Sequence, residues 1–288
     1  MVSPVRSHAV FIRIQYTIGT ARMGVVDVPM RRSERCATLS RMPSTHVPRR
    51  SSAIGPLELT GRSRAHVRED GGLTMQPVAL AAFRKMCRAA SSAGIDLAAA
   101  SGFRDFDRQV LIWNQKWRGE RALLDAAGRP IDATRLRPVP RARAILVWSA
   151  PPGASRHHWG SDVDVYDRAA LGPDGRFGLV PSEYEPGGVF ARLTEWLDQN
   201  MAAFGFYRPY VTDRGGVRPE PWHLSHVKTA RDASRRLRLA TLRRAIVESP
   251  IEGRATLLKM LPQVYQRYVR SVDPPPVLPA RTKRRAVD

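Results

Sequence analysis

All six tryptophans of this 288-residue chain fall between Trp113 and Trp222. Side chains of that size need a closely packed interior, so the rigid core is expected there, with looser sequence on either side. A hydrophobic fraction of 43% excludes global disorder. No apolar run approaches the roughly 18 residues that span a bilayer, so a transmembrane protein is excluded too. Cys36 and Cys87 are the only cysteines, which rules out a disulfide scaffold and any cysteine-rich zinc finger.

Periodicity and punctuation organise the chain around that core. Thr74 as N-cap, with Pro77 in the first turn, starts a helix whose stripe is Val78, Ala81, Ala82, Met86 and Ala89, and Gly94 ends it. Cys87 on this helix reads as a small packed hydrophobe. Asp96–Ser101 reads as a strand, and a second helix runs from Asp105 to Trp117 with Val110 and Trp113 on one face. Residues 119–138 read as a loop, and Pro140 opens a short helix toward Trp148. Ser161–Asp167 alternates polar and apolar residues, the period of a strand. Gly187–Gly188 precede an amphipathic helix bearing Phe190, Leu193, Leu197 and Met201, and Phe206–Val211 with Pro221–Val227 reads as a hairpin. From Asp232 the pattern is helical, broken at Ser249–Pro250. The expected fold is α+β, a small, mainly antiparallel sheet flanked by helices, with a helical C-terminal extension. Residues 1–56 are expected to be disordered or not part of the natural start, 57–228 to form the domain, 229–272 the helical extension, and 273–288 a disordered basic tail.

The net charge of +21 raises a nucleic-acid reading, and its distribution argues against one. Residues 75–228 hold 21 Lys+Arg against 16 Asp+Glu, so most of the excess lies in the flanks. Basic tails are commonly just solvated. No specific nucleic-acid partner is expected.

Four of the seven histidines lie in two short segments, Ser155-Arg-His-His-Trp-Gly-Ser-Asp-Val-Asp164 and Glu220-Pro-Trp-His-Leu-Ser-His226. A catalytic zinc takes about three ligands from His and Asp/Glu and keeps a further position for water. His157, Asp164 and His223 supply that set, with Glu220 left as a base. The alternative is that Asp164 and Glu220 are surface or capping carboxylates and His157 a packed ring. His158 and His226 read as structural or supporting, Trp159 and Trp222 as packing, Asp167 as a strand-end cap, and Tyr207 and Tyr210 as residues of the hairpin, with reach into the site only the lesser reading.

The stretch from Ser155 to Asp164 resembles the Ser-x-His-x(6)-Asp signature of the zinc D-alanyl-D-alanine carboxypeptidases of the vancomycin-resistance type, more distantly the lysostaphin-like and hedgehog-like zinc folds. Glu220-Pro-Trp-His223 is similar to their second motif. Ser101-Gly-Phe-Arg-Asp-Phe-Asp-Arg-Gln109 is similar to their upstream Ser-Gly-Tyr-Arg-Ser-x-x-x-Gln stretch. The three occur in family order within residues 97–228. The resemblance implies one Zn²⁺ per chain held by His157, Asp164 and His223, with Glu220 as catalytic acid/base. It implies that Arg104, Ser155 and Gln109 hold the substrate, and that Arg104 also helps stabilise the transition state. An Arg fork suits a terminal carboxylate through two charge-assisted hydrogen bonds. One departure stands out: the family usually has Ala where this chain has Asp162. Strand periodicity puts Asp162 and Asp164 on one face, so Asp162 competes for the ligand role or supports it from behind.

The expected function is therefore a zinc-dependent D-alanyl-D-alanine carboxypeptidase that hydrolyses the terminal peptide bond of a peptidoglycan stem peptide or muropeptide ending in D-Ala. The alternatives are an L,D-carboxypeptidase, a D,D-dipeptidase or a non-catalytic zinc-containing wall-binding module. A monomer is expected. The substrate class implies the cell envelope, whereas no export signal is visible, which leaves a cytoplasmic muropeptide enzyme or a misassigned start.

Overall fold

A computed structural model of the chain describes residues 10–14, 26–30, 54–126, 128–172 and 175–275. Strands β1 (Val10–Ile14) and β2 (Val26–Met30) pair antiparallel as a ribbon of their own. Next come helix α1 (Pro56–Leu59), a hairpin of β3 (Arg68–Asp70) and β4 (Leu73–Met75), helix α2 (Pro77–Ser92) and strand β5 (Leu97–Ser101). Helix α3 (Phe106–Arg118), a small hairpin of β6 (Leu123–Leu124) and β7 (Pro130–Ile131), helix α4 (Pro138–Leu146) and strand β8 (Asp162–Asp167) follow. Helix α5 (Ala191–Asn200), strands β9 (Phe206–Tyr207) and β10 (His223–His226), and helices α6 (Val227–Arg236), α7 (Leu239–Val247) and α8 (Arg254–Val264) follow, the last running on into a π-helical turn, Tyr265–Arg270.

The central sheet has the order β5-β8-β10-β9 and is antiparallel throughout. All six residues of β8 are buried, because the strand has a neighbour on each edge and cover on each face. One face carries Val163, Val165 and Leu224, none with any solvent exposure, packed with Phe83 and Met86 of α2 and Leu193 and Leu197 of α5. Burying each such side chain is worth roughly 1.5–3 kcal/mol. The opposite face carries Asp162, Asp164, His223 and Ser225, since residues two apart share a face. The fold is thus the expected α+β architecture.

A second core joins Phe106, Val110 and Trp113 of α3 to Leu146 of α4, Trp159, and Leu242, Ile246, Leu257 and Leu261 of the last two helices. The C-terminal helices therefore pack into the domain. At the boundary expected at 273, Asp273 N donates to Pro209 O at 2.9 Å, and its carboxylate accepts from the amides of Val211 and Thr212. Residues 276–288 of the expected tail lie outside the described residues. The expected disorder over 1–56 also lies largely outside them, but the β1–β2 ribbon and the buried Ile54 belong to that stretch.

Several local expectations are corrected. Thr74 is a β4 residue, and the N-cap of α2 is Gln76, because Pro77 occupies the first helical position and fixes the start. Pro138 opens α4 for the same reason, two residues before the expected Pro140. The loop over 119–138 contains the β6–β7 hairpin, whose two-residue strands are too short to show a period. Among the described residues no helix is long and apolar enough to cross a membrane.

Candidate active site

The register of the sheet assembles the site. Asp164 lies opposite His223 on one edge of β8 and opposite Ser101 on the other, and Asp162 lies opposite Ser225. His157 arrives on a 3-10 turn, Arg156–Trp159, that ends at Gly160 in the left-handed region (φ 63°). A Cβ on Gly160 would collide with Val67 and stand 3.0 Å from the Gln76 nitrogen, so only glycine brings the turn so close to the two ends of the β3–β4 hairpin. Glu220 sits in a turn closed by His223 N donating to Glu220 O at 3.1 Å, with Pro221 at the corner. That turn brings Glu220 Oε2 to 3.3 Å from His223 Nδ1 despite their spacing in sequence.

His157, Asp164 and His223 each offer a ligand atom within 4.8 Å of the others, and all three are buried. His157 Nδ1 contacts the carbonyl of Gly102 at 2.8 Å. A carbonyl only accepts, so Nδ1 carries the proton and the Nε2 lone pair faces Asp164 Oδ2 at 3.3 Å. His223 Nε2 stands 2.9 Å from Asp162 Oδ2 and donates to it, which leaves the Nδ1 lone pair facing Asp164 Oδ1 at 3.1 Å. Asp164 Oδ1 is buried and has no hydrogen-bond partner. Two imidazole lone pairs and an unsatisfied carboxylate oxygen converging on one point are a donor set that fits a divalent cation of zinc's preferences.

The charges agree. Burial opposes the ionised form of Asp164, but the neighbouring His157 and His223 outweigh it and hold the carboxyl far below the usual range. Burial likewise depresses a protonated His223, and the carboxylates of Asp162, Asp164 and Glu220 reverse that and raise it well above its ordinary value, so without a cation Nδ1 takes up a second proton, and the lone pair is offered when a metal displaces that proton. A cluster this rich in acceptors attracts positive charge of some kind.

Asp162 is fully engaged behind the rings. Besides His223 it accepts from Arg156 Nε at 2.6 Å, Ser161 Oγ at 2.5 Å and Ser225 Oγ at 2.9 Å. Arg156 in turn donates to Ser225 Oγ at 2.5 Å and Tyr207 Oη at 3.2 Å, and lies over the Trp159 ring at 4.7 Å. Asp164 is the carboxylate left to face the imidazole lone pairs. Arg156 carries no signal in a sequence with 47 basic residues, and only its contact with Asp162 singles it out.

A cavity of about 720 Å³ opens onto this cluster. Arg104, Ser155, Glu220, Tyr210 and Trp222 line it with His157, Asp164 and His223. Tyr210 meets the edge of the His223 ring at 5.1 Å between centroids, so it reaches the site directly, whereas Tyr207 does so only through Arg156. Arg104 is held by Gln109 Oε1 at 3.0 Å and Ser101 Oγ at 3.1 Å, and its backbone nitrogen donates to His157 O. Gln109 requires a correction. It is buried with its other amide end donating to Ala150 O at 2.8 Å, so it holds Arg104 and does not face the cavity. His158 is structural, accepting from Gly153 N at 3.1 Å and donating to Arg104 O at 2.6 Å. Lys116 also lines the cavity; on an amphipathic helix it reads as a solvated residue, and nothing in the sequence marks it.

The family model for VanY D-alanyl-D-alanine carboxypeptidase matches residues 72–229, more than half of the chain. An uncharacterised protein of Haemophilus influenzae is 36% identical over 118 residues, 40% of this chain and 90% of that protein. A D-alanyl-D-alanine carboxypeptidase of Enterococcus faecalis is 30% identical over 142 residues, 48% of this chain and 43% of that protein. Among solved structures, VanYB in complex with D-alanine-D-alanine is 24% identical, with a TM-score of 0.41 over 58% of this chain and 80% of that one. The chain belongs to the VanY D-alanyl-D-alanine carboxypeptidase family.

Proposed function

We propose that this chain is a zinc-dependent D,D-carboxypeptidase that removes the terminal D-Ala from peptidoglycan stem peptides. The observation that carries the reading is the buried, unsatisfied Asp164 Oδ1 set between two imidazole lone pairs, with Glu220 beside them. His157, Asp164 and His223 would hold the zinc. When bound, zinc lowers the pKa of a water to about 7 and polarises a carbonyl.

The other steps fall to the chain's own side chains. Glu220, lining the cavity beside His223, takes the proton of the attacking water and delivers it to the leaving amine, as general base and then general acid. Arg104, fixed by Gln109 and Ser101, presents its remaining N–H groups to the peptide, where a fork can bind a carboxylate or a developing oxyanion. Ser155, at the head of the 3-10 turn, offers a hydroxyl to the substrate. Asp162 keeps the proton on His223 Nε2, so that Nδ1 stays a ligand. A base in place beside the donor set supports an enzyme over a binding module.

The test is a stem pentapeptide ending in D-Ala-D-Ala and the matching tetrapeptide, followed by mass spectrometry with and without a chelator. Chelator-sensitive loss of one D-Ala from the pentapeptide alone is the expected result. Loss from the tetrapeptide alone would assign L,D specificity, and no cleavage of either by zinc-loaded protein would overturn the enzymatic reading.

A further inference from the structure

The cavity has a second charged end that the peptidase reading does not use. Lys116 of α3 lines it together with Arg121, Ser149 and Arg104. The lysine is half-buried, and its Nζ donates to Ser149 Oγ at 2.5 Å. Among the described residues no carboxylate lies within ion-pair distance of it, so two of its three N–H groups have no protein acceptor. The charges it senses are mainly of its own sign, Arg121 and Arg104, with Glu220 opposing them from the catalytic side. A lysine on a solvated helix face extends into water. This one turns into the cavity against repulsion, an arrangement that an incoming anion completes.

We propose that Lys116 and Ser149 form a carboxylate subsite of the cavity, flanked by Arg104, that takes a carboxylate of the peptide substrate; this rests on the peptidase reading above. An anion there would relieve the burial and the repulsion from Arg121 and Arg104 that together pull the Lys116 ammonium down to about 7. The carboxylate is either the free terminus of the leaving residue or an acidic group further up the peptide. The chemistry at Lys116 is the same for both. With a separate anchor for that carboxylate, Arg104 is available for the reacting carbonyl beside His157, to which its own backbone is tied.

Binding is measured by calorimetry on zinc-loaded Glu220→Gln protein, with and without Lys116→Met, so that turnover does not interfere. The probes are the stem pentapeptide as free acid, its C-terminal amide, and an analogue with the terminus free and every other carboxylate amidated. Lys116→Met is expected to weaken the free acid by about ten- to hundred-fold, the scale of a hydrogen bond to a charged group, while Lys116→Arg stays within a few-fold. Insensitivity of the C-terminal amide to Lys116→Met assigns the terminal carboxylate, and insensitivity of the other analogue assigns the upstream one. Equal weakening of all three probes, or no weakening of the free acid, overturns the subsite. Ser149→Ala, a smaller change, is expected to weaken the free acid by roughly three-fold and keeps the test open if Lys116→Met does not fold. Wild-type cleavage of the pentapeptide is scored separately. Its absence overturns the peptidase reading, while binding that still depends on Lys116 leaves the anion site standing.

Discussion

At the scale of single residues, the site depends on which groups stand behind the ones that do chemistry. Asp162 touches neither the cavity nor the convergence point of His157, Asp164 and His223, yet it sets the orientation and proton of His223. Asp162→Asn removes the charge that balances buried Arg156 and weakens the hold on His223. Zinc affinity should fall by about 10–100-fold in a chelator competition, the scale seen when such supporting carboxylates are lost; an unchanged affinity would mean that packing alone orients the ring. Glu220→Gln should retain zinc and lose turnover by at least ~100-fold, and near-wild-type rates would make another group the base. The residues that face the cleft were readable because a rare type, histidine, recurs beside carboxylates at fixed spacing. Arg156 and Lys116 were not, since a side chain of a common type acquires its meaning only from the fold that surrounds it. Gln109 shows the same limit: its place in a motif is visible in sequence, but the direction of its amide is not.

At the scale of elements, a boundary is sharp where a residue allows one physical outcome. Asp105 caps α3 by accepting from Arg108 N at 2.8 Å, and Gly119 ends it in the left-handed conformation (φ 78°). The alternation of Asp162–Asp167 forms β8. Thr74 was ambiguous by nature, a good N-cap and a good strand residue, and Pro77 with the β3 partner strand decides for the strand. Gly160 offers the sharpest test of an element. Gly160→Ala combines an unfavourable φ with a collision against Val67, and should cost about 2 kcal/mol or more in denaturant unfolding. Wild-type stability would show that the turn can move away from the β3–β4 hairpin. Asp273 ties the segment after α8 to residues 211–214. Burial works against its charge, but the amides of Thr212 and Val211 and the Arg214 guanidinium outweigh it and lower its pKa. Its contribution is therefore fully present above the ordinary aspartate value of about 3.9 and is lost as pH falls below that toward the lowered folded value. The stability deficit of Asp273→Asn should be largest near neutral pH and shrink in acid. A deficit that does not change with pH would assign Asp273 a purely steric role.

At the scale of the whole molecule, the family model ends near residue 229 but the core does not. Leu242, Ile246, Leu257 and Leu261 are at most 1% exposed and pack with Trp113 and Trp159. At roughly 1.5–3 kcal/mol each, the four together are comparable to the whole net stability of a domain, about 5–15 kcal/mol. A chain cut after Arg238 should lack near-ultraviolet circular dichroism and cooperative unfolding; a cooperative transition in that fragment would show that α7 and α8 are dispensable. The sequence marks these helices by their period, yet their partners Trp113 and Trp159 lie roughly 80 to 150 residues earlier, which no local pattern can report. The central strand has a different consequence. A slip of β8 by one residue would exchange Asp162 and Asp164 for Val163 and Val165 on the site face, and no intermediate register exists. A molecule with that strand out of place is silent, not slow, so the specific activity of a preparation is a head count of its correctly folded molecules.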